Sequence, residues 1–329
     1  MASAMCMGVT AFAEFTDMPD GSMGQALQNA VDAGLIQGVT DTEIRPNDNI
    51  TRAQMATIIT RAFSAQDNSD QTFNDVAADA WYADAVSKAV EMGAFEGDTN
   101  NNFNPENNIT FQETYIVISR VFGFEPYELK YSSGETLMLG DCEDSVLDSF
   151  SDSSSIASWA RDGAKYVVGN GGWTGIDGQL KPTDYITRGE FALLMDSIVT
   201  TYISEPGTYT GLPDGLTMVR CGGVTIDGLQ TSHNLIITYG VDESGCKVTN
   251  STVNGVTLVL GGVDKTPAES VDSNGETVYQ PDDSYVSIEG NYYDVRVNTP
   301  FVFLDASSAS VSYFKGVKNS LVSLSFSGN

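Results

Sequence analysis

One pattern constrains this 329-residue chain more than any other: a block of motifs recurs three times in the same order at nearly the same spacing. Three segments open Phe-x-Asp, at Phe15/Asp17, Phe73/Asp75 and Phe150/Asp152. Each runs through a short alanine-rich apolar stretch to two glycines four apart, Gly34/Gly38, Gly93/Gly97 and Gly171/Gly175. A proline follows (Pro46, Pro105, Pro182), then Ile-Thr at Ile50-Thr51, Ile109-Thr110 and Ile186-Thr187. From Phe to Ile the distances are 35, 36 and 36 residues. Self-similarity at a fixed period marks an architecture in which each unit buries its apolar face against its neighbours.

Each repeat reads as helix–loop–helix. The second helix carries apolar residues at i, i+3, i+4, i+7 and i+8, the spacing of one buried face. In repeat one these are Met55, Ile58, Ile59, Ala62 and Phe63; in repeat two Thr114, Val117, Ile118, Val121 and Phe122. In repeat three they are Phe191, Leu194, Met195, Ile198 and Val199. A threonine opens each of these helices as a capping box, Thr51 with Gln54, Thr110 with Glu113 and Thr187 with Glu190. The first glycine of each pair is expected at the end of the first helix, in the left-handed region.

These residues resemble the S-layer homology (SLH) domain in a tandem of three, over about residues 14–203. The resemblance also rests on Trp81 and Trp159 near the start of the first helices and on Ile-Thr-Arg-Ala-Glu. That motif appears as Ile50-Thr51-Arg52-Ala53-Gln54 and Ile186-Thr187-Arg188-Gly189-Glu190. Repeat two departs from it with Phe111 in place of the arginine, and repeat one has Ser22 in place of the tryptophan. The repeats are read as 14–68, 69–124 and 150–203, with an insertion at 125–149 that forms a surface loop or short hairpin. The resemblance implies a pseudo-threefold helical bundle. It also implies grooves that bind an anionic, often pyruvylated, cell-wall polysaccharide and hold a secreted protein at the bacterial surface, in an S-layer or at the wall. The motif arginine is then a ligand-contacting residue, and the Phe111 groove is expected to be impaired or altered. Candidate ligand-binding residues are Arg52 and Arg188 with Thr51, Thr187, Gln54, Glu190, Trp81 and Trp159.

The residues lend this one physical argument. Arg52 and Arg188 follow directly on a helix N-cap, where the helix dipole prefers an acidic side chain. A guanidinium there, turned toward a groove, converges with exposed helix N–H groups on a spot suited to a carboxylate. The competing reading pairs each arginine with an acidic neighbour from another repeat. If the arginines contact ligand, replacing both by alanine is expected to leave the fold intact and to weaken cell-wall binding. Trp81 and Trp159 are read as core anchors before sugar-stacking platforms.

From about residue 204 the helical period disappears. Short alternating runs separated by turn residues read as strands: Thr217–Val219, Val224–Ile226, Leu235–Thr238, Val256–Leu260, Val286–Ile288, Tyr292–Val297, Val302–Leu304, Val311–Tyr313 and Leu321–Leu324. Asn254-Gly255 and Gly290-Asn291 would suit antiparallel hairpins and a β-sandwich. Recurrence at roughly twenty-residue steps, interrupted near 264–284, favours a parallel β-solenoid instead. The fold class is therefore multidomain α + β, a three-repeat bundle followed by an all-β domain at 204–329.

Composition narrows the functions. With 44 acidic and 16 basic residues the net charge is −28, against non-specific nucleic-acid binding and against a polybasic membrane-surface protein. No apolar run is long enough to span a bilayer. A multi-histidine metal site is excluded, because His233 is the single histidine. Asp98-Thr-Asn100-Asn-Asn102 resembles a calcium loop but lacks its glycine and its final glutamate, so it reads as a structural loop and no cofactor is expected beyond an occasional Ca2+. Residues 1–13 read as a signal-peptide remnant ending Ala11-Phe12-Ala13. Cys221 and Cys246 are the expected disulfide pair, if any. Asp294, Arg296, Asp305 and Lys315 form no catalytic motif and read as a solvated strand face. The chain is thus expected to be a non-enzymatic surface protein whose β-domain contacts copies of itself or neighbours. The alternative is a wall-anchored carbohydrate-active or carbohydrate-binding protein.

Overall fold

The repeats produce six helices among the described residues: α1 (Gly21–Asp32), α2 (Arg52–Ala62), α3 (Ala83–Glu91), α4 (Phe111–Val121), α5 (Arg161–Gly169) and α6 (Arg188–Ile198). The computed structural model describes residues 15–130, 133–271, 275, 277–280, 284–317 and 320–324; the reading of residues 1–13 lies outside them. All three capping boxes form, each threonine accepting from the N3 backbone while the N3 side chain reaches back. The predicted stripes are buried throughout. Val199 is buried too, but it opens a strand instead of extending α6.

The helices pair across repeats: α2 packs on α3, α4 on α5, and α6 closes the circle on α1. At the axis the three motif isoleucines exchange backbone hydrogen bonds in a ring. Ile50 N–H donates to Ile186, Ile186 to Ile109 and Ile109 to Ile50, at 3.0–3.1 Å. All three side chains are fully buried. This closed ring is the pseudo-threefold axis.

The other repeat motifs turn out to be local clamps. In each Phe-x-Asp the carboxylate accepts two consecutive backbone N–H groups of its own repeat's loop: Ile44 and Arg45 on Asp17, Phe103 and Asn104 on Asp75, Leu180 and Lys181 on Asp152. The second glycine lies against the motif phenylalanine. A Cβ on Gly97 would stand 2.4 Å from the Phe73 ring, and one on Gly38 would stand 2.5 Å from Phe15. The first glycines behave as expected in repeats one and two, where Gly34 and Gly93 have φ of 70°. In repeat three the left-handed residue is Gly172, one position later than expected.

The insertion folds as an antiparallel hairpin of β1 (Tyr127–Lys130) and β2 (Thr136–Leu139). The C-terminal part is a parallel β-solenoid. Its strands are β3 (Val199–Ile203), β4 (Gly207–Thr210), β5 (Leu216–Val219), β6 (Val224–Asp227), β7 (Gln230–Thr231), β8 (Leu235–Ile237), β9 (Cys246–Val259), β12 (Val286–Val297), β13 (Phe303–Gly316) and β14 (Leu321–Leu324). Every pairing in this ten-stranded sheet is parallel. One column of paired positions runs Gly207, Val224, Cys246, Val286, Leu304, Val322. Its one long step, from Cys246 to Val286, accommodates a projecting hairpin of β10 (Ala268–Val271) and β11 (Thr277–Gln280).

Three expectations need correction here. Asn254-Gly255 and Gly290-Asn291 are not hairpin turns but lie inside β9 and β12. Both glycines sit where a Cβ would strike a neighbouring coil, His233 O at 2.4 Å and Ser251 O at 1.9 Å. They are needed for close backbone approach at the bends of long strands. Second, the solenoid begins at Val199, before the expected boundary at 204, because α6 runs directly into β3. Third, Cys221 and Cys246 are both free thiols.

The two parts share a core. Leu216, Met218, Ile236, Leu258 and Leu260 of the solenoid belong to the same buried cluster as the helices. Arg220 donates to the carbonyls of Ala33 and Arg61, at the ends of α1 and α2. Arg296 donates to those of Gly123 and Glu125.

Candidate functional site

The motif arginines point across repeat boundaries. Arg188 is 8% exposed and donates through Nε to Ile44 O at 2.7 Å and through a terminal nitrogen to Gln37 O at 2.6 Å. Arg52 does the same one repeat on, to Phe103 O at 2.9 Å and Glu96 O at 3.3 Å, with its guanidinium about 5 Å from the Phe95 and Phe103 rings. In repeat two the buried Phe111 fills the place of the arginine, and the Tyr115 hydroxyl donates to the matching carbonyl, Leu180 O, at 2.6 Å. Trp173 in turn donates to that hydroxyl.

Each arginine is therefore bonded to loop carbonyls of the next repeat. Neither is in an ion pair among the described residues, so the acidic-neighbour reading fails. The convergence on free helix N–H groups fails as well. The N–H groups of Arg52 and Ala53 donate to Asn107 O and Pro105 O, and those of Arg188 and Gly189 to Asp48 O and Pro46 O. The third N–H group is taken by the capping threonine. This is the structural work of the motif proline loop: it caps the neighbouring repeat's helix. Thr51, Thr187, Gln54 and Glu190 are likewise occupied in capping boxes.

Trp81 and Trp159 are exposed, at 66% and 58%, so the core-anchor reading is overturned for both. Trp81 instead flanks a groove of about 350 Å³ between repeats one and two, whose other polar walls are Gln37, Gln54, Thr57, Arg61 and Arg188. Sequence reading missed Arg61 and Gln37. The available signal was positional, since Arg61, Arg120 and Ser197 each lie ten residues after a capping threonine.

The repeat register defines three grooves, and they differ. Groove one carries Arg188, Arg61 and Trp81, with amides at Gln37 and Gln54. Burial pushes the Arg61 pKa down. It does the same at the two motif arginines, where nearby carboxylates oppose it, Asp48 and Asp17 at Arg188 and Glu113 and Asp75 at Arg52. Groove two has Arg52, Arg120 and Trp159, but Glu96 and Glu113 replace the amides, and Arg120 pairs with Glu96 at 3.3 Å. Groove three, between α6 and α1, combines Phe111, Ser22 and Ser197, and its Glu190 is paired with Lys181 at 2.9 Å. The missing arginine of repeat two and the missing tryptophan of repeat one thus converge on one groove. Grooves one and two keep both residues.

Of the four β-domain candidates, Lys315 is exposed and Asp305 half-buried, but Asp294 and Arg296 are buried and do not lie on a solvated face. Asp294 and Arg296 form a buried pair at 2.8 Å under the insertion hairpin, with the Tyr127 hydroxyl donating to Asp294. Arg296 and Lys315 both lie over the Tyr127 ring. Asp305 accepts from the Ser307 backbone. His233 meets both Ser232 and Asp214 through the same nitrogen, Nδ1 at 3.2 Å, so no relay from serine through the ring to the carboxylate exists. Asp98 accepts from the Asn100 and Asn102 backbone and from the Asn104 side chain, the arrangement of a structural loop.

Comparison with known proteins agrees with this geometry. The S-layer homology domain matches residues 14–56, 72–114 and 149–192. A "Surface-layer 125 kDa protein" of Lysinibacillus sphaericus is 34% identical over 186 residues, 55% of this chain and 14% of that protein. An amylopullulanase of Thermoanaerobacterium thermosulfurigenes and an exoglucanase of Acetivibrio thermocellus are each 28% identical over 187 residues. Each match covers 55% of this chain, and 9% and 16% of those proteins respectively. The glycosidases match only through the repeats. Residues 14–192 of this chain carry three S-layer homology domains in tandem.

Proposed function

We propose that the repeats attach this chain to the bacterial cell wall, with an acidic wall polysaccharide bound in groove one. The observation that carries this is an exposed indole beside a guanidinium that is in no ion pair among the described residues, Trp81 beside Arg61. The indole face offers stacking to a sugar ring, and Arg61 offers a charge-assisted hydrogen bond to its carboxylate, such as a pyruvyl ketal. Arg188 forms the floor and holds the Gln37 loop in place. The surface-layer relative supports the same reading, which puts the protein at the cell surface. The outer coils of the solenoid would then meet neighbouring surface proteins or copies of this chain. The glycosidase relatives share only the anchoring repeats, and the one buried carboxylate–guanidinium pair among the solenoid's described residues is a packing contact, so we assign no catalysis to it.

The test is co-sedimentation of the full chain with purified wall sacculi. Arg61→Ala with Trp81→Ala is expected to lose most pelleting, while Ser197→Ala in groove three leaves it unchanged. Undiminished pelleting of the double variant would overturn the assignment to groove one.

A further inference from the structure

Groove one does not end at Trp81. A second hollow of about 540 Å³ continues from it toward the solenoid and shares Gln37, Thr57, Arg61 and Trp81 with it. Its far wall adds Lys88 from α3, Ser64 and Gln66 after α2, and Arg220 from the solenoid. Three cations therefore line it against one carboxylate, Asp84, which pairs with Lys88 at 2.8 Å. In a chain of net charge −28 such a local excess is unusual. Arg220 is held by the Ala33 and Arg61 carbonyls, so the solenoid fixes the end wall and its charge in position. Its buried Nε has no hydrogen-bond partner among the described residues.

We infer that this hollow is a second subsite, built jointly by the repeats and the solenoid, for the next acidic sugar of the polymer whose first unit lies on Trp81. The inference rests on the groove-one reading and deepens it: the recognised unit is an oligosaccharide with more than one acidic group, not a single terminal sugar. Two connected hollows of about 350 and 540 Å³ suit two or three sugar rings. The cations are spread along that path from Arg188 through Arg61 to Lys88 and Arg220, so a chain with repeated carboxylates meets a cation at each step. In groove two the cation that matches Arg61, Arg120, is already paired with Glu96.

The test is calorimetric titration of the full chain with pyruvylated oligosaccharides of one and three sugars, the longer bearing two acidic groups. Wild type is expected to bind the trisaccharide about tenfold more tightly than the monosaccharide, the magnitude of one charge-assisted contact. Lys88→Gln and Ala85→Glu, both at the surface of α3, are expected to abolish that gain and leave monosaccharide binding unchanged. Equal affinity of wild type for the two sugars, or a gain that survives both variants, would overturn the second subsite while leaving groove one standing. Failure of wild type to bind either sugar would overturn both.

Discussion

Arg188 shows how a motif residue's role depends on which carbonyl it reaches. Its guanidinium spans two loop carbonyls of repeat one, Ile44 and Gln37, from a buried position at the start of α6. Removing it strands two acceptors and opens the seam between repeats three and one. Arg188→Ala is therefore expected to cost about 2–3 kcal/mol, the range for hydrogen bonds to a charged group, contrary to the sequence-based expectation of an intact fold. Arg188→Lys should recover little of this, because a single ammonium cannot fork to both carbonyls. Chemical denaturation of the three proteins checks both statements. Gly97 makes a companion case in which the residue matters for what it lacks. A methyl group there would meet the Phe73 ring and the Asn102 carbonyl, so Gly97→Ala is expected to destabilise by about 1–3 kcal/mol through overpacking. A melting temperature within a degree of wild type would refute it.

Among the elements, α6 carries a pH response that α2 lacks. Burial works to raise the Glu190 pKa, but the Lys181 ammonium and the Thr187 donors outweigh it and hold the carboxyl below its ordinary value. A carboxylate depressed by folding contributes stability that is complete above its unfolded value, about 4.5. That contribution is lost as pH falls through the folded value. Glu190→Gln keeps the capping geometry, as Gln54 does in α2, and loses the titrating group. Its stability should therefore fall less than wild type between pH 5 and pH 3, as followed by denaturation midpoints. The helices and their caps were legible in sequence because they obey local rules: a 3.6-residue stripe and a threonine three positions before Glu or Gln. The solenoid was less so. Its strands were found piecemeal, and Gly255 and Gly290 suggested turns, because a glycine that admits a neighbouring coil leaves the same signature as one that ends a strand. Only the pairing of Gly290 beside Ser251, a long-range contact, separates the two.

At the scale of the whole molecule, the sequence divided the chain at residue 204, and folding does not respect that division. Strand β3 completes the first coil from residues assigned to repeat three, and Met218, Ile236, Leu258 and Leu260 are buried against the helices. The grooves were invisible for a related reason. Phe111, Ser22 and Ser197 come from three different repeats, and only the cyclic packing of α6 on α1 brings them to one place. Shared burial predicts that the two parts unfold as one cooperative unit. Cys246, in the solenoid interior with its thiol pushed up to about 12 by burial, is a probe of that unit. Because the reactive form is the thiolate, it should resist thiol reagents until the solenoid opens. In a denaturant series, labelling of Cys246 in a variant with Cys6, Cys142 and Cys221 changed to serine should follow the same midpoint as the helical circular-dichroism signal. Labelling that precedes loss of helix would mean that the solenoid opens while the bundle stands, and that the end wall formed by Arg220 is separable from the groove. Coincident transitions would mean that residues 204–329 alone expose the apolar face that packs on the helices, and that fragment is then expected to aggregate when expressed without the repeats.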